Sequence, residues 1–220
     1  MKLEVPKIAF GTYRLKGSIC FNAVSDALEL GYKMIDTAQV YGNEAEVGKA
    51  VYFSSVPRKS IFISSKLWFP YHNIEENILK SCDRLRTEYI DLYLIHKPNH
   101  INPKEHLKAF EDLEKCRQNG IIHSIGVTSF NLEQLEQLIS VTGIIPDLVQ
   151  VECHPFFQQK HLQEKVESLG SIFQAWYPLG SGDKHLFNHP VLKEIASAHS
   201  ISVPRLVLMW AYTRGTFYFG

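Results

Sequence analysis

The chain has 220 residues, with 23 Lys+Arg against 23 Asp+Glu, 45% hydrophobic and 12% aromatic residues. Zero formal net charge argues against a polyanion binder, which carries clustered Lys/Arg excess, and no apolar run reaches the ~18 residues of a membrane span. Folding at this length buries about 70% of the unfolded surface, enough for a large core without disulfides or a structural metal.

Residues 1–6 lack the apolar stretch of a secretory signal. Cys20, Cys82, Cys116 and Cys153 are scattered without a Cys-x-x-Cys and read as buried free thiols of a cytoplasmic protein. There is no repeat, low-complexity tract or linker, so residues 1–220 read as one domain.

Short β-branched or aromatic runs occur at residues 7–12, 34–37, 61–65, 90–95, 122–128, 148–151 and 171–176, with a weak eighth at 216–219. Most are continuously apolar, as parallel strands covered on both faces require. Amphipathic segments lie between them. Asn73 has the look of an N-cap, with Glu76 three residues on and Ile74, Ile78, Cys82 and Leu85 sharing a face. Pro103 opens a segment with Leu107, Phe110 and Leu113 inward and Gly120 closing it. Asn131 caps a third helix, with Leu135, Leu138 and Ile139 inside and Gly143 after. Leu162, Val166 and Leu169 form a fourth ending at Gly170, and Pro204 begins a fifth with Leu206, Val207 and Trp210.

Strand ends fall near residues 36, 66, 95, 127, 151 and 176, one βα unit apart each time. Seven strands and a weak eighth predict an α/β fold of the (β/α)8 TIM-barrel type. A doubly wound sheet is the competitor, but none of the 13 glycines falls into Gly-x-Gly-x-x-Gly spacing.

A barrel's reactive groups come from the C-terminal ends of its strands. The second strand ends at Asp36 and leads to Tyr41, the third ends at Lys66, and the fourth at His96. Free tyrosine titrates near ~10, and a neighbouring ammonium lowers that by roughly 1–3 units. A carboxylate keeps the lysine charged, and an imidazole orients a carbonyl oxygen toward the phenol. Such a set suits carbonyl reduction with an external hydride donor. Singly, each residue has a blander reading: a rim ion pair, a packed tyrosine, a hydrogen-bonded core histidine. Four such residues at consecutive strand ends favour a reactive site.

The stretches Asp36-Thr37-Ala38-Gln39-Val40-Tyr41-Gly42-Asn43-Glu44, Ser65-Lys66-Leu67-Trp68 and Asp91-Leu92-Tyr93-Leu94-Ile95-His96 resemble the aldo-keto reductases. Gly126-Val127-Thr128-Ser129-Phe130 and Gln150-Val151-Glu152-Cys153-His154-Pro155 extend the resemblance, which runs from Pro6 to about Arg214. It implies an NADPH-dependent reductase of aldehydes or ketones. Tyr41 matches the proton donor, Lys66 and Asp36 its tuning partners, and His96 the carbonyl-orienting residue. Thr128, Ser129 and Gln150 match groups around the nicotinamide carboxamide, with Ser129 standing where Asn is usual. Trp176 matches the aromatic that stacks on the nicotinamide, and Leu179 and Ser181 follow where the pyrophosphate lies. Gly11 and Thr12 match a first-strand segment touching the cofactor. Tyr13, Trp68 and Lys97 match the substrate pocket, and Lys97, where an aromatic is frequent, favours polar or acidic carbonyl substrates.

The family needs no metal; His185 and His189 are four apart but lack a carboxylate in ligand spacing. The resemblance further implies a monomer with a small-molecule carbonyl substrate and neither nucleic-acid nor membrane partners. The family's last strand is followed by a turn and helix gripping the 2′-phosphate and adenine of NADPH, and by a loop closing the substrate pocket. This sequence stops at Gly220 within the expected eighth strand. A barrel lacking its C-terminal helix and loop, with weakened NADPH binding, is therefore expected. Two rival readings are an inactive or regulatory relative of the family, and a glycosidase using Glu152, for which no partner carboxylate is evident.

Overall fold

The computed structural model describes residues 3–213, 218 and 219, apart from the side chains of Ser181 and of 218–219. Its elements run β1 (Ile8–Gly11), α1 (Gly17–Glu29), β2 (Met34–Asp36), a 3-10 turn (Gln39–Tyr41), α2 (Glu44–Phe53), a 3-10 turn (Arg58–Ser60), β3 (Phe62–Leu67) and α3 (Ile74–Leu85). They continue with β4 (Ile90–Ile95), α4 (Pro103–Gln118), β5 (Ile122–Thr128), α5 (Leu132–Thr142), β6 (Leu148–Glu152), α6 (Lys160–Ser168) and β7 (Ile172–Trp176). A 3-10 turn (Gly180–Gly182), α7 (Lys184–Asn188), α8 (Pro190–Ala198), α9 (Val203–Thr213) and the two-residue β8 (Tyr218–Phe219) complete them.

The strands form one parallel sheet in the order β7-β6-β5-β4-β3-β2-β1-β8, the curled βα sheet of a (β/α)8 barrel. β8 pairs with β1, Ile8 opposite Tyr218 and Ala9 opposite Phe219. Thr216 and Phe217 of the expected eighth strand lie outside the described residues. The seven strands expected from apolar runs are present within one or two residues at their ends. The reason is physical: a strand covered by helices outside and packed side chains inside needs apolar residues on both faces.

Two cores result. The larger lies between sheet and helices and includes Ile35, Ile63, Tyr93, Ile125 and Val149 from the strands against Val24, Val47, Ile78, Phe110 and Leu135 from the helices. The smaller fills the barrel interior with Ala9, Met34, Leu92, Leu94 and Leu148. Period-two alternation carries the interior face on from Met34 to Asp36, from Leu94 to His96 and from Leu148 to Gln150. The interior thus turns from apolar to polar toward the strands' C-terminal ends.

Asn131 caps α5 as expected: its side chain accepts from the Gln134 amide at 2.8 Å while Gln134 Oε1 accepts from the Asn131 amide at 3.0 Å. Asn73 does precede α3, but in a left-handed conformation (φ 48°) with no side-chain cap, so the expected capping box is absent there. α1 had no cap signal in the sequence, and α2 follows Asn43, whose side chain makes no cap hydrogen bond. α1 starts at Gly17 behind Lys16 and is held by its buried stripe of Cys20, Val24, Ala27 and Leu28. All four cysteines are buried and none forms a disulfide.

Candidate active site

The end of β2 delivers Asp36 to the polar end of the barrel. Alternation along β3 points Lys66 to the same interior, while Ser65 turns outward and donates to Glu44 Oε1 at 2.6 Å. Lys66 Nζ forms an ion pair with Asp36 Oδ1 and donates to the Thr37 carbonyl at 2.9 Å. The two side chains are 1% and 5% exposed, a burial tolerated because each charge neutralises the other. Burial alone pushes the ammonium's pKa down; Asp36 and then Tyr41 outweigh it, so Lys66 sits above its ordinary value and is charged at neutral pH.

Tyr41 closes the 3-10 turn, and its ring centroid is 5.1 Å from Lys66 Nζ. Tyr13 lies 5.1 Å from it and the His96 ring 5.7 Å away, edge-on. Lys66 acts on Tyr41 in the expected direction, lowering its pKa, but does not decide the net shift. The Tyr41 phenol is pushed up rather than down, because burial outweighs the Lys66 charge and Asp36 adds to the rise. Lys66 moderates a desolvated phenol; it does not turn it into a phenolate.

His96 follows β4 with its ring 5.0 Å from Trp68. Burial, then the charges of Lys66 and Lys97, push its pKa down to about 3, so the imidazole is neutral at pH 7. Its Nδ1 is buried without a hydrogen-bond partner among the described residues.

These groups border a cavity of about 930 Å³ at the strands' C-terminal ends. Tyr13, Trp68 and Lys97 line it beside Tyr41 and His96, as do Gly11, Thr12, Thr128, Ser129, Gln150, Trp176 and Leu179. Lys66 lies beneath the wall rather than in it, and the side chain of Ser181 is outside the described residues. Thr12 Oγ1 donates to the Asp36 carbonyl at 3.0 Å, tying β1 to β2. Ser129 is left-handed (φ 64°), a conformation that Asn tolerates better than Ser does, which gives a physical reason for the Asn usual there.

The side chains suit a nicotinamide nucleotide. Trp176, half-buried at the end of β7, opens onto the cavity, and its Nε1 is buried with no partner among the described residues. The hydroxyls of Thr128 and Ser129 and the amide of Gln150 stand on the same walls. Gln150 also does something the sequence did not indicate. Its Nε2 donates to Asp36 Oδ2 at 3.3 Å and to Gln174 Oε1 at 2.8 Å, so the buried Gln174 supports the buried ion pair through one intermediate. Two glutamines facing into apolar strands are a signal that sequence reading had available.

A second network missed in the sequence braces the site from outside the barrel. Glu44, 1% exposed, accepts from Ser65 and from Arg84 Nε at 2.7 Å. Gln39 donates to Ser81 Oγ at 3.2 Å and accepts from the Trp68 amide at 3.0 Å. Ser65 is next to Lys66, and Gln39 is two residues before Tyr41, so this network locates both.

Glu152 lines the cavity, but its Oε1 is 3.1 Å from His154 Nε2, and the other carboxylate in the wall, Asp36, is engaged by Lys66. The carboxylate pair of a glycosidase is therefore not assembled. Among the described residues no three His, Cys, Asp or Glu side chains are placed to hold a metal ion, and no helix is long and apolar enough to cross a membrane.

A barrel with this rim defines a class, and comparison with known proteins gives its family. The Aldo/keto reductase family model matches residues 7–218. Methylglyoxal reductase DkgA of Yersinia pestis is 35% identical over 214 residues, spanning 96% of this chain and 76% of that one. The crystal structure of an aldo/keto reductase from Brucella melitensis superposes with a TM-score of 0.91 at 36% identity, covering 98% of this chain and 83% of that chain. A mutant of Gox0644, solved in complex with NADPH, gives a TM-score of 0.90 at 30% identity over 98% of this chain and 78% of its own. The chain belongs to the aldo/keto reductase family.

Proposed function

We propose that this chain reduces aldehydes or ketones to alcohols with NADPH, Tyr41 giving the proton. One observation carries the reading: Tyr41, the buried Lys66–Asp36 pair and the neutral His96 meet at one cavity wall. Bound NADPH supplies the hydride that reaches the carbonyl carbon. Trp176, Gln150, Thr128 and Ser129 are the residues that would hold its nicotinamide end.

A neutral imidazole at His96 offers an N–H to the carbonyl oxygen without competing with Lys66 for the site's positive charge. Tyr41 remains a protonated phenol at neutral pH, as a proton donor must, and transfers its proton as negative charge builds on that oxygen. Lys66 stabilises the phenolate left behind, and Asp36 keeps Lys66 charged and aimed. The similarity to methylglyoxal reductase DkgA supports a small carbonyl compound as substrate. Four buried thiols without a disulfide suit the cytoplasm, where we place the protein.

The test is NADPH consumption with a panel of small aldehydes. Tyr41→Phe should lower the rate roughly 10²–10⁴-fold, the usual worth of general acid help, with the fold intact by circular dichroism. Equal consumption by both proteins would show that Tyr41 is not the acid.

A further inference from the structure

The wall around Tyr41 and His96 carries one feature that carbonyl reduction by itself does not require. Lys97, the residue after His96, lines the cavity, with Nζ 4.8 Å above the Trp68 ring and 5.6 Å from Phe69. Trp68 stands between Lys97 and His96, its ring 5.0 Å from the imidazole. Lys97 stays exposed at the cavity mouth, and its ammonium lies over an aromatic wall beside the site of the carbonyl oxygen.

Lys97 has no carboxylate within 4.0 Å among the described residues. The two carboxylates of the cavity wall are engaged elsewhere, Asp36 with Lys66 and Glu152 with His154. His96 is neutral, and its depressed pKa records the nearby charge of Lys97. The wall formed by Tyr13, Tyr41, Trp68, His96 and Lys97 therefore carries one full positive charge and no acid.

Its backbone is held in place. The Tyr71 hydroxyl donates to the Lys97 carbonyl at 2.5 Å. Two residues on, the Asn99 amide donates to His106 Nδ1 at 3.0 Å, and Asn99 Oδ1 accepts from the amides of Ile101 and Asn102 at 3.0 Å each. A lysine on a braced loop loses less freedom on engaging a ligand than one on a mobile loop.

We propose that the preferred substrates are carbonyl compounds bearing a carboxylate a few bonds from the reacting carbon, held by Lys97 across the Trp68 ring. This rests on the reductase reading above and names its substrate class.

The test compares 4-oxobutanoate with its methyl ester, which share the aldehyde and differ in charge. Wild-type kcat/KM should favour the acid about tenfold, the worth of one charge-assisted contact at a partly exposed site, and added salt should shrink the preference. Lys97→Met should remove it by raising KM for the acid more than for the ester; Lys97→Arg should keep most of it. A readout without turnover uses intrinsic tryptophan emission of the protein alone. Butanoate should shift it saturably and butanamide should not, and Lys97→Met should abolish the difference. Reduction of both aldehydes with no preference, or equal loss on both in Lys97→Met, overturns the proposal and leaves the reductase reading standing. Turnover of neither aldehyde overturns both.

Discussion

Lys66→Met is the perturbation that most directly probes the buried charge pair. The two side chains are 1% and 5% exposed, so removing the ammonium strands the Asp36 carboxylate away from water. Among the described side chains, only the Gln150 Nε2 contact at 3.3 Å remains to it. Breaking a buried pair from one side costs about 3–5 kcal/mol, and that is the expected loss of unfolding free energy. In Asp36→Asn/Lys66→Met neither partner is charged, the Asn oxygen still accepts from Gln150, and the loss should shrink to ~1–2 kcal/mol. The double variant is therefore expected to be about 2 kcal/mol more stable than Lys66→Met, although both should lack activity. Urea unfolding at pH 7, followed by far-ultraviolet circular dichroism, measures each corner of the cycle. If the double variant is as unstable as the two single losses added together, the pair is not a coupled buried couple. Support of the Tyr41 phenolate by Lys66 would then need another explanation.

Two further outcomes follow from the structure. His96 titrates at about 3 when folded against ~6.5 unfolded, so between those values the unfolded chain binds a proton that the folded chain refuses. Stability should fall as pH drops below ~6.5, by up to ~1.4 kcal/mol per unit from this group; urea midpoints from pH 7 to 5 should show a shallower decline in His96→Gln, and parallel declines would count against a buried neutral imidazole. Gly126 lies where β4, β5 and β6 run side by side, and a Cβ there would stand 2.2 Å from the Leu148 carbonyl oxygen and 2.7 Å from Leu94 Cδ2. Gly126→Ala should cost at least ~3 kcal/mol by forcing strands apart, readable as a fall in Tm; an unchanged Tm would mean that the sheet yields more readily than its packing implies.

The strands of this protein were legible because their burial is recorded locally. Residues such as Ile90, Leu92, Tyr93 and Leu94 must be apolar wherever a helix covers one face and a barrel interior the other. The reactive quartet was legible for a related reason. Asp36, Lys66 and His96 are polar residues placed where apolar runs stop, and a parallel barrel brings all such places to one end. α5 was similarly open to reading, since its cap is a contact between Asn131 and Gln134, three residues apart.

What the sequence could not express depends on contacts between distant segments. α1 lacks a cap and is held by packing against the barrel, so its start had no local signature. Gln150 and Asp36 are 114 residues apart, and their contact exists only because β6 and β2 face one another across the barrel. The Glu44 network likewise joins α2, β3 and α3. The sign of the Tyr41 shift belongs here too: neighbouring strand ends suggested a lysine lowering a phenol's pKa, which Lys66 does, yet the net outcome is a contest in which burial outweighs that charge. Lys97 could be read as a charge near the site, but only the fold lays its exposed ammonium over Trp68. The sequence by itself thus determined which chemical groups reach the rim, because the strand pattern is local. Tertiary structure alone decided their protonation and aim, because burial and field at one atom sum over every strand around it.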